Sequence, residues 1–478
     1  MNFNPFKRSK KYDLSKASSE FTKEILEEYD NSRPNGPQEK LCLAPFKSMY
    51  FSYSGSMNVC CYSRTYILGQ YPMQSIKETW LGKRADALRE YITQNNLDHG
   101  CEGCKMHILS GGYDVTKAKQ YDEMTLNDNG YPSVMEFELD NTCNLECEMC
   151  SGNFSSLIRK NREGRPPLEN PYDAEFVRQL EEFIPHLQEV KFYGGEPFLI
   201  KIYYDIWEKI IELNPSIRIS VQTNGTILNN RVKRIMEKSE FHIGISIDSL
   251  QKASYESIRK NATFERTMEN LEWFKDYCKQ RGTFFGLAAC AMPQNWKELP
   301  DFVRHCNEFE IPIYFNTVFF PPERSFPSLG AEELLHIIEA LSLEKFPRNT
   351  PIEIKNKNHF EDQIKQLKHL LKEKLTEIPR LSKLESMDDL KQFVGICINE
   401  QPVWSEDDKN HKRTAIFANL DELEIRLGEH FDYASVFNRW NMAGQSSVFI
   451  HNMLSEFETG PIDHLVVRIN GTLLPEVG

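Results

Sequence analysis

Ser133-Val-Met-Glu-Phe-Glu-Leu-Asp140, followed by Asn141-Thr-Cys143-Asn-Leu-Glu-Cys147-Glu-Met-Cys150, is the stretch on which the fold turns. Met135, Phe137 and Leu139 alternate with polar residues, the period of a strand. The second half reads as a short loop, with Asn141 and Asn144 as turn formers. Its thiols, at offsets of four and three residues, can converge on one soft metal centre.

Ordinary buried thiols are one reading of these residues. A cluster this tight is improbable by chance in a chain with 12 cysteines among 478 residues. A structural zinc site is the stronger competitor, but it normally pairs closely spaced cysteines in both halves. Here no fourth cysteine is near. Three thiolates on an iron–sulfur cluster leave one iron open for another ligand.

Cys-x3-Cys-x2-Cys after a first strand resembles the radical S-adenosylmethionine (SAM) superfamily. The resemblance implies a four-iron four-sulfur cluster on Cys143, Cys147 and Cys150. It also implies SAM chelated to the open iron through its amino and carboxylate groups. One-electron reduction then cleaves SAM to a 5′-deoxyadenosyl radical. The family usually places an aromatic residue just before the third cysteine; this chain has Met149.

Composition is that of an ordinary globular chain, with 40% hydrophobic and 27% charged residues. Its length accommodates two or three domains. The net charge of −13 argues against nucleic acid as a partner. No apolar run is long enough for a membrane span. The lysine-rich first twenty or so residues lack the apolar core of a secretory signal. A cytoplasmic location is therefore expected, with reduced cysteines free to bind metal.

A second cysteine-rich unit holds Cys42, Cys60, Cys61, Cys101 and Cys104. Phe51 to Val59 reads as a hairpin turning at Gly55, and Ser75 to Asn95 as a helix. Cys101-Glu-Gly-Cys104 closes the unit. Four of these thiolates suit zinc or an iron–sulfur cluster equally well. Several features resemble the twitch or SPASM-type auxiliary domain of radical SAM enzymes. They are the early cysteine, Gly55-x4-Cys60, Leu68-Gly69, Ser75-Ile-Lys-Glu-Thr-Trp80, Leu88-Arg89 and Cys101-x2-Cys104. That resemblance implies a second four-iron four-sulfur cluster on Cys42, Cys60, Cys101 and Cys104, with Cys61 as the alternative to Cys60. In most relatives this unit follows the barrel, whereas here it precedes it. The cysteine number suits the shorter, single-cluster twitch type.

From 133 to about 325, strands are predicted at 133–139, 188–193, 217–222, 241–247, 284–290 and 311–319, with helices between them. Six such repeats predict a parallel sheet curled into a partial (β/α)6 TIM-like barrel, an α/β fold. Active sites of such barrels lie at the carboxyl ends of the strands. Gly194-Gly195-Glu196-Pro197 follows the second strand, Thr223-Asn224-Gly225 the third, and Ser246-Ile-Asp248 ends the fourth. Each alone reads as a turn. Placed after the cysteine loop, they resemble the family's SAM site. That implies a close approach at Gly194 and Gly195, Glu196 accepting from the SAM ammonium, and polar contacts from Thr223, Asn224, Ser246 and Asp248. Arg259 resembles an arginine that pairs with the SAM carboxylate; a solvated helix charge is the other reading.

The expected organisation is a polar segment at 1–38, the auxiliary domain at 39–125, the barrel at 130–325, and a mixed, mainly helical C-terminal extension at 326–478. The extension is expected to close the barrel and shape the substrate cavity, with helices at 331–343 and 360–374 and further elements at 420–427, 447–453 and 464–469. Of the remaining cysteines, Cys278 and Cys306 read as buried helix thiols. Cys290 and Cys397 are candidates for the hydrogen-atom donor that some radical SAM peptide epimerases use. The resemblance implies hydrogen-atom abstraction from a substrate C–H. The expected partners are a peptide or small-molecule substrate and a one-electron donor such as flavodoxin or ferredoxin. A peptide or protein substrate (crosslinked, epimerised or oxidised) is preferred over a sugar-like small molecule. The rival from another class is a zinc-binding scaffold without catalysis.

Overall fold

The computed structural model describes residues 21–109, 111–113, 116–318, 321–375, 384, 386–399, 405–428, 454, 457 and 458. Its strands are β1 (Ser48–Phe51), β2 (Ser56–Asn58), β3 (Gly69–Gln70), β4 (Val134–Phe137), β5 (Glu189–Phe192), β6 (Arg218–Thr223), β7 (Phe241–Ser246), β8 (Phe285–Ala291) and β9 (Ile313–Thr317). They form one sheet in the order β3-β2-β1-β4-β5-β6-β7-β8-β9. From β4 to β9 every neighbouring pair is parallel. Each falls on a segment that sequence periodicity marks as a strand, β6 and β8 running one residue past the expected ends at Thr223 and Ala291.

The sheet has two chemically different faces because the side-chain period of a strand is two. On one face Phe51, Phe137, Phe192, Val221, Ile243 and Phe285 stand opposite one another, strand to strand. Phe51 stacks on Phe137 at 5.3 Å, and Phe137 on Phe192 at 5.1 Å. Phe176, Trp207 and Phe274, from the covering helices, complete this core. The next register row reads Tyr50, Glu136, Lys191, Ser220 and His242. This second face is polar and looks into the barrel. The strands are therefore apolar only on their helix side.

The structure joins two units that the sequence divides. β1, from the cysteine-rich N-terminal unit, pairs in parallel with β4. β2 and β3 then continue antiparallel. The hairpin turn falls at Gly55, whose φ of +86° suits a residue without a Cβ. The helix expected over 75–95 is two helices, Ile76–Trp80 and Lys83–Thr93. Gly82, extended at φ −80° and ψ 162°, caps the second. Arg89 spans the break, donating to the Trp80 carbonyl at 2.9 Å, so both halves keep one apolar face.

At the far edge, β9 is covered by the Pro351–Leu375 helix. Asn356 accepts from the Ile313 amide at 2.9 Å and donates to the Ile311 carbonyl at 2.9 Å, satisfying backbone that an edge strand exposes. The Ala331–Ser342 helix shares an apolar core with it. Helices Met387–Asn399 and Glu406–Leu427 pack against each other. The predicted elements at 447–453 and 464–469 lie outside the described residues. No described helix is long and apolar enough to cross a membrane.

Candidate active site

Cys143, Cys147 and Cys150 sit on the loop that leaves β4, held mainly by backbone. Ser155 Oγ donates to the Leu145 carbonyl at 2.7 Å, and Asn141 Nδ2 to the Gly152 carbonyl at 2.8 Å. The amides of Glu146 and Glu148 donate to the carbonyls of Lys260 and Ile258, at 3.1 and 2.9 Å. The loop is thereby strapped to the segment carrying Arg259. Arg162 Nη2 bridges the Cys147 and Cys150 carbonyls at 3.1 and 2.9 Å.

Gly194 and Gly195 let the turn after β5 lie against this loop. The Gly195 amide donates to the Asp140 carbonyl at 3.0 Å, and the Glu196 amide to the Thr142 carbonyl at 2.8 Å. A Cβ on Gly195 would stand 2.2 Å from the Thr142 oxygen, and Gly194 has φ +103°. The close approach implied by the resemblance is thus made first to the cysteine loop itself.

Glu196 is fully buried and braces the strand ends. Its carboxylate accepts from Thr223 Oγ1 at 2.7 Å and from the amides of Asn224 at 2.8 Å and Phe198 at 3.1 Å. Burial pushes its carboxyl up to about 7, against the pull of those donors. Asn224 Nδ2 lies 3.9 Å from the Cys143 sulfur and 3.1 Å from Asn144 Oδ1. Thr226 closes this network, donating to Asn224 Oδ1 at 2.7 Å. Sequence marks Asn144 only as a turn former and Thr226 not at all; their places inside the cysteine loop and beside Thr223-Asn224 are the available signal.

Asp248 and Arg259 form a buried ion pair at 2.8 Å. Arg259 is therefore no solvated helix charge, and its Nε faces Asp248. Burial opposes the guanidinium charge, yet Asp248 and Cys147 hold it more firmly charged than usual. Asp248 Oδ1 accepts from the Cys290 amide at 2.7 Å. Asn295 ties this corner together, donating to the carbonyls of Asp248 at 2.8 Å and Cys290 at 2.9 Å. Nothing in the local sequence marks Asn295. Ser246 Oγ accepts from Gln222 at 2.8 Å. Cys290 stands near the loop: it and Met149 both pack on the small core of Ile258, Met292 and Val318, and its thiol is pushed up by burial with Asp248, Cys147 and Cys150 adding to the effect. Cys397 is buried on the Met387–Asn399 helix, whose main partner is the Glu406–Leu427 helix, so it does not join this group.

The loop thiols suit the implied cluster. Burial pushes Cys143 and Cys150 up to about 12, and Cys147 adds like-charge repulsion to both. Bare thiolates there would be costly, whereas iron offsets their charge. Among the described residues, no three His, Cys, Asp or Glu side chains gather tightly enough for one bare ion. A polynuclear group takes its sulfurs at separate corners and asks for no such crowding.

The second site draws on distant segments. Cys42, Cys60, Cys101 and Cys104 line one small cavity, together with Lys117 and Tyr121. Burial pushes Cys60 up to about 12 and Cys104 up to about 11. Cys61 turns away and lines a larger cavity of about 1100 Å³. One wall of that cavity is the N-terminal unit, and the other is β9 with the Pro351–Leu375 helix. Asn316 on this wall is the register partner of Cys290, on the neighbouring strand β8.

Comparison with known proteins agrees with this arrangement. The radical SAM superfamily model matches residues 138–306, and the SPASM iron–sulfur cluster-binding domain model matches residues 42–105. A probable GTP 3′,8-cyclase of Methanocella arvoryzae is 27% identical over 143 residues, 29% of this chain and 42% of that protein. A probable GTP 3′,8-cyclase of Methanocaldococcus jannaschii is 26% identical over 179 residues, 36% of this chain and 55% of that protein. The chain thus spans about half the length of the curated relatives it matches. A solved structure described as native anSMEcpe with bound AdoMet aligns with a TM-score of 0.35 and 20% identity, over 44% of this chain and 59% of that one.

Proposed function

We propose that this chain, a radical SAM superfamily enzyme with an auxiliary iron–sulfur domain, acts on a peptide or protein substrate lying between its two cysteine sites. The cavity of about 1100 Å³ carries this reading. It is larger than the roughly 300–1,000 Å³ of most small-molecule sites. It reaches from Cys61, next to the auxiliary thiols, to Asn316, beside Cys290.

When bound, a cluster on the loop and SAM would supply the one-electron chemistry for hydrogen-atom abstraction from a substrate C–H. The chain's own residues hold that chemistry in place. Cys143, Cys147 and Cys150 are assigned to the SAM-binding cluster. Cys42, Cys60, Cys101 and Cys104 are assigned to the auxiliary one, in a domain at 39–125 ahead of the barrel at 130–325. Gly194, Gly195 and Glu196 set the turn against the loop, and Thr223, Asn224 and Ser246 line the neighbouring strand ends. Asp248 orients Arg259 beside Cys147.

A nucleotide substrate, as the relatives' names suggest, finds less support. The lysine and arginine side chains in the cavity wall are engaged: Arg64 with Glu138 at 3.2 Å, Lys119 with Ser32 at 3.5 Å and Lys365 with Asp362 at 2.8 Å. Polyphosphate recognition draws on unengaged cations or convergent amides. The test is product analysis by mass spectrometry after anaerobic reconstitution, with SAM, dithionite, and either a synthetic peptide library or GTP. Altered peptide masses accompanied by 5′-deoxyadenosine are expected. Consumption of GTP with unchanged peptides would overturn the reading.

A further inference from the structure

Two glutamates alternate with the cysteines of the loop, and they are held differently. Glu146 accepts from two neutral amides, Asn161 Nδ2 and Asn261 Nδ2, each at 3.0 Å. Glu148, between Cys147 and Met149, meets cations. Its Oε1 pairs with Lys260 Nζ at 3.3 Å. Its Oε2 pairs with Arg324 Nη2 at 3.0 Å and accepts from Gln294 Nε2 at 3.2 Å. Arg324 Nη1 donates in turn to Gln294 Oε1 at 2.9 Å, closing a triangle of side chains. Arg324 ends the Pro322–Arg324 turn that follows β9. Two residues on, Phe326 is set in the apolar core that holds Leu334 and Ile337 of the C-terminal extension. The guanidinium thus ties the cysteine loop to the extension.

A solvated ion pair would mean little. Here the Glu148 side chain is 13% exposed and that of Arg324 35%, against 53% for Lys260, so the guanidinium is the less screened of the two cations. A carboxylate next to Cys147 adds negative charge beside three thiolates, and net charge helps set how readily a cluster accepts an electron. We propose that Arg324 is a positioning residue for the SAM-binding cluster: through Glu148 it fixes the Cys147–Cys150 half of the loop and offsets the carboxylate charge, which raises the cluster's reduction potential. The inference rests on the loop-cluster assignment above and adds to it a charge control supplied from outside the barrel strands.

The test is a redox titration read by electron paramagnetic resonance on the full chain, reconstituted anaerobically, with iron and Tm measured on the same samples. The reduced signal that added SAM perturbs reports the loop cluster. Arg324→Gln is expected to keep the wild-type iron content and a Tm within about 2 °C, because a part-exposed pair adds little stability. Its loop cluster should be about tenfold less reduced at the wild-type midpoint, a fall of about 59 mV for one electron. Glu148→Gln should raise the midpoint, and the double variant should return close to wild type. Arg324→Lys, which keeps the charge but not the fork, should lie between Arg324→Gln and wild type. An unchanged midpoint in Arg324→Gln, a double variant as low as Arg324→Gln, or iron loss that Arg324→Lys does not restore would each overturn the role of Arg324 and leave the cluster assignment standing. A wild type without a signal that SAM perturbs would overturn both.

Discussion

The two cysteine sites are built in opposite ways. Cys143, Cys147 and Cys150 lie on one short loop, tied by backbone hydrogen bonds to the turn after β5 and to the Ile258–Lys260 segment. Cys42, Cys60, Cys101 and Cys104 come from three separate segments of the chain and meet in one small cavity. The first site has Arg259 and Arg162 beside it, and both draw the Cys147 thiol down against its burial. The second has Lys117 in its lining, and Arg33 and Lys117 pull the Cys42 and Cys104 thiols down against their burial. Burial there leaves Cys42 and Cys101 well above the usual thiol range, with the neighbouring thiols adding to the effect. The contrast separates three thiols gathered by one local loop from four drawn together from separate parts of the chain.

Removing one ligand from each site should break the symmetry of their effects. Cys147→Ala should reduce 5′-deoxyadenosine formation to background while about four of about eight irons remain. Cys104→Ala should also halve the iron but leave SAM cleavage without substrate measurable, as read by chromatography of the products. The pair Cys60→Ala and Cys61→Ala sharpens the second site. Only the Cys60 variant should lose iron, because Cys61 faces the larger cavity.

Smaller effects probe the scaffold of the first site. Asp248→Ala leaves the Arg259 charge buried without its partner. It should cost about 3–5 kcal/mol in denaturant unfolding. Gly195→Ala forces a Cβ to 2.2 Å from the Thr142 oxygen. A loss of about 1–3 kcal/mol is expected, with weaker SAM cleavage as the loop is pushed outward.

Legibility in the sequence followed the same divide. The barrel strands were readable because one face of each is apolar under its helices, as Phe137, Phe192 and Ile243 show. Their polar partners Glu136, Lys191 and Ser220 carry the lumen, which periodicity registers only as alternation. The loop site was readable because its thiols are neighbours in the chain. The auxiliary site was readable only through resemblance, since spacing alone left zinc and iron–sulfur equal. The pairing of β1 with β4 was hidden because register between distant strands is set by packing. So was the Asp248–Arg259 pair, whose partners are brought together by the chain's return after β7.

The most direct test of the central assignment is 5′-deoxyadenosine formation under dithionite by the wild type and by the Cys143→Ala, Cys147→Ala, Cys150→Ala triple variant. Both are reconstituted anaerobically, and iron is counted in the same samples. The account predicts product from the wild type and none from the triple variant, which keeps about four irons in the auxiliary site. Product from the triple variant, or none from an iron-replete wild type, would contradict it.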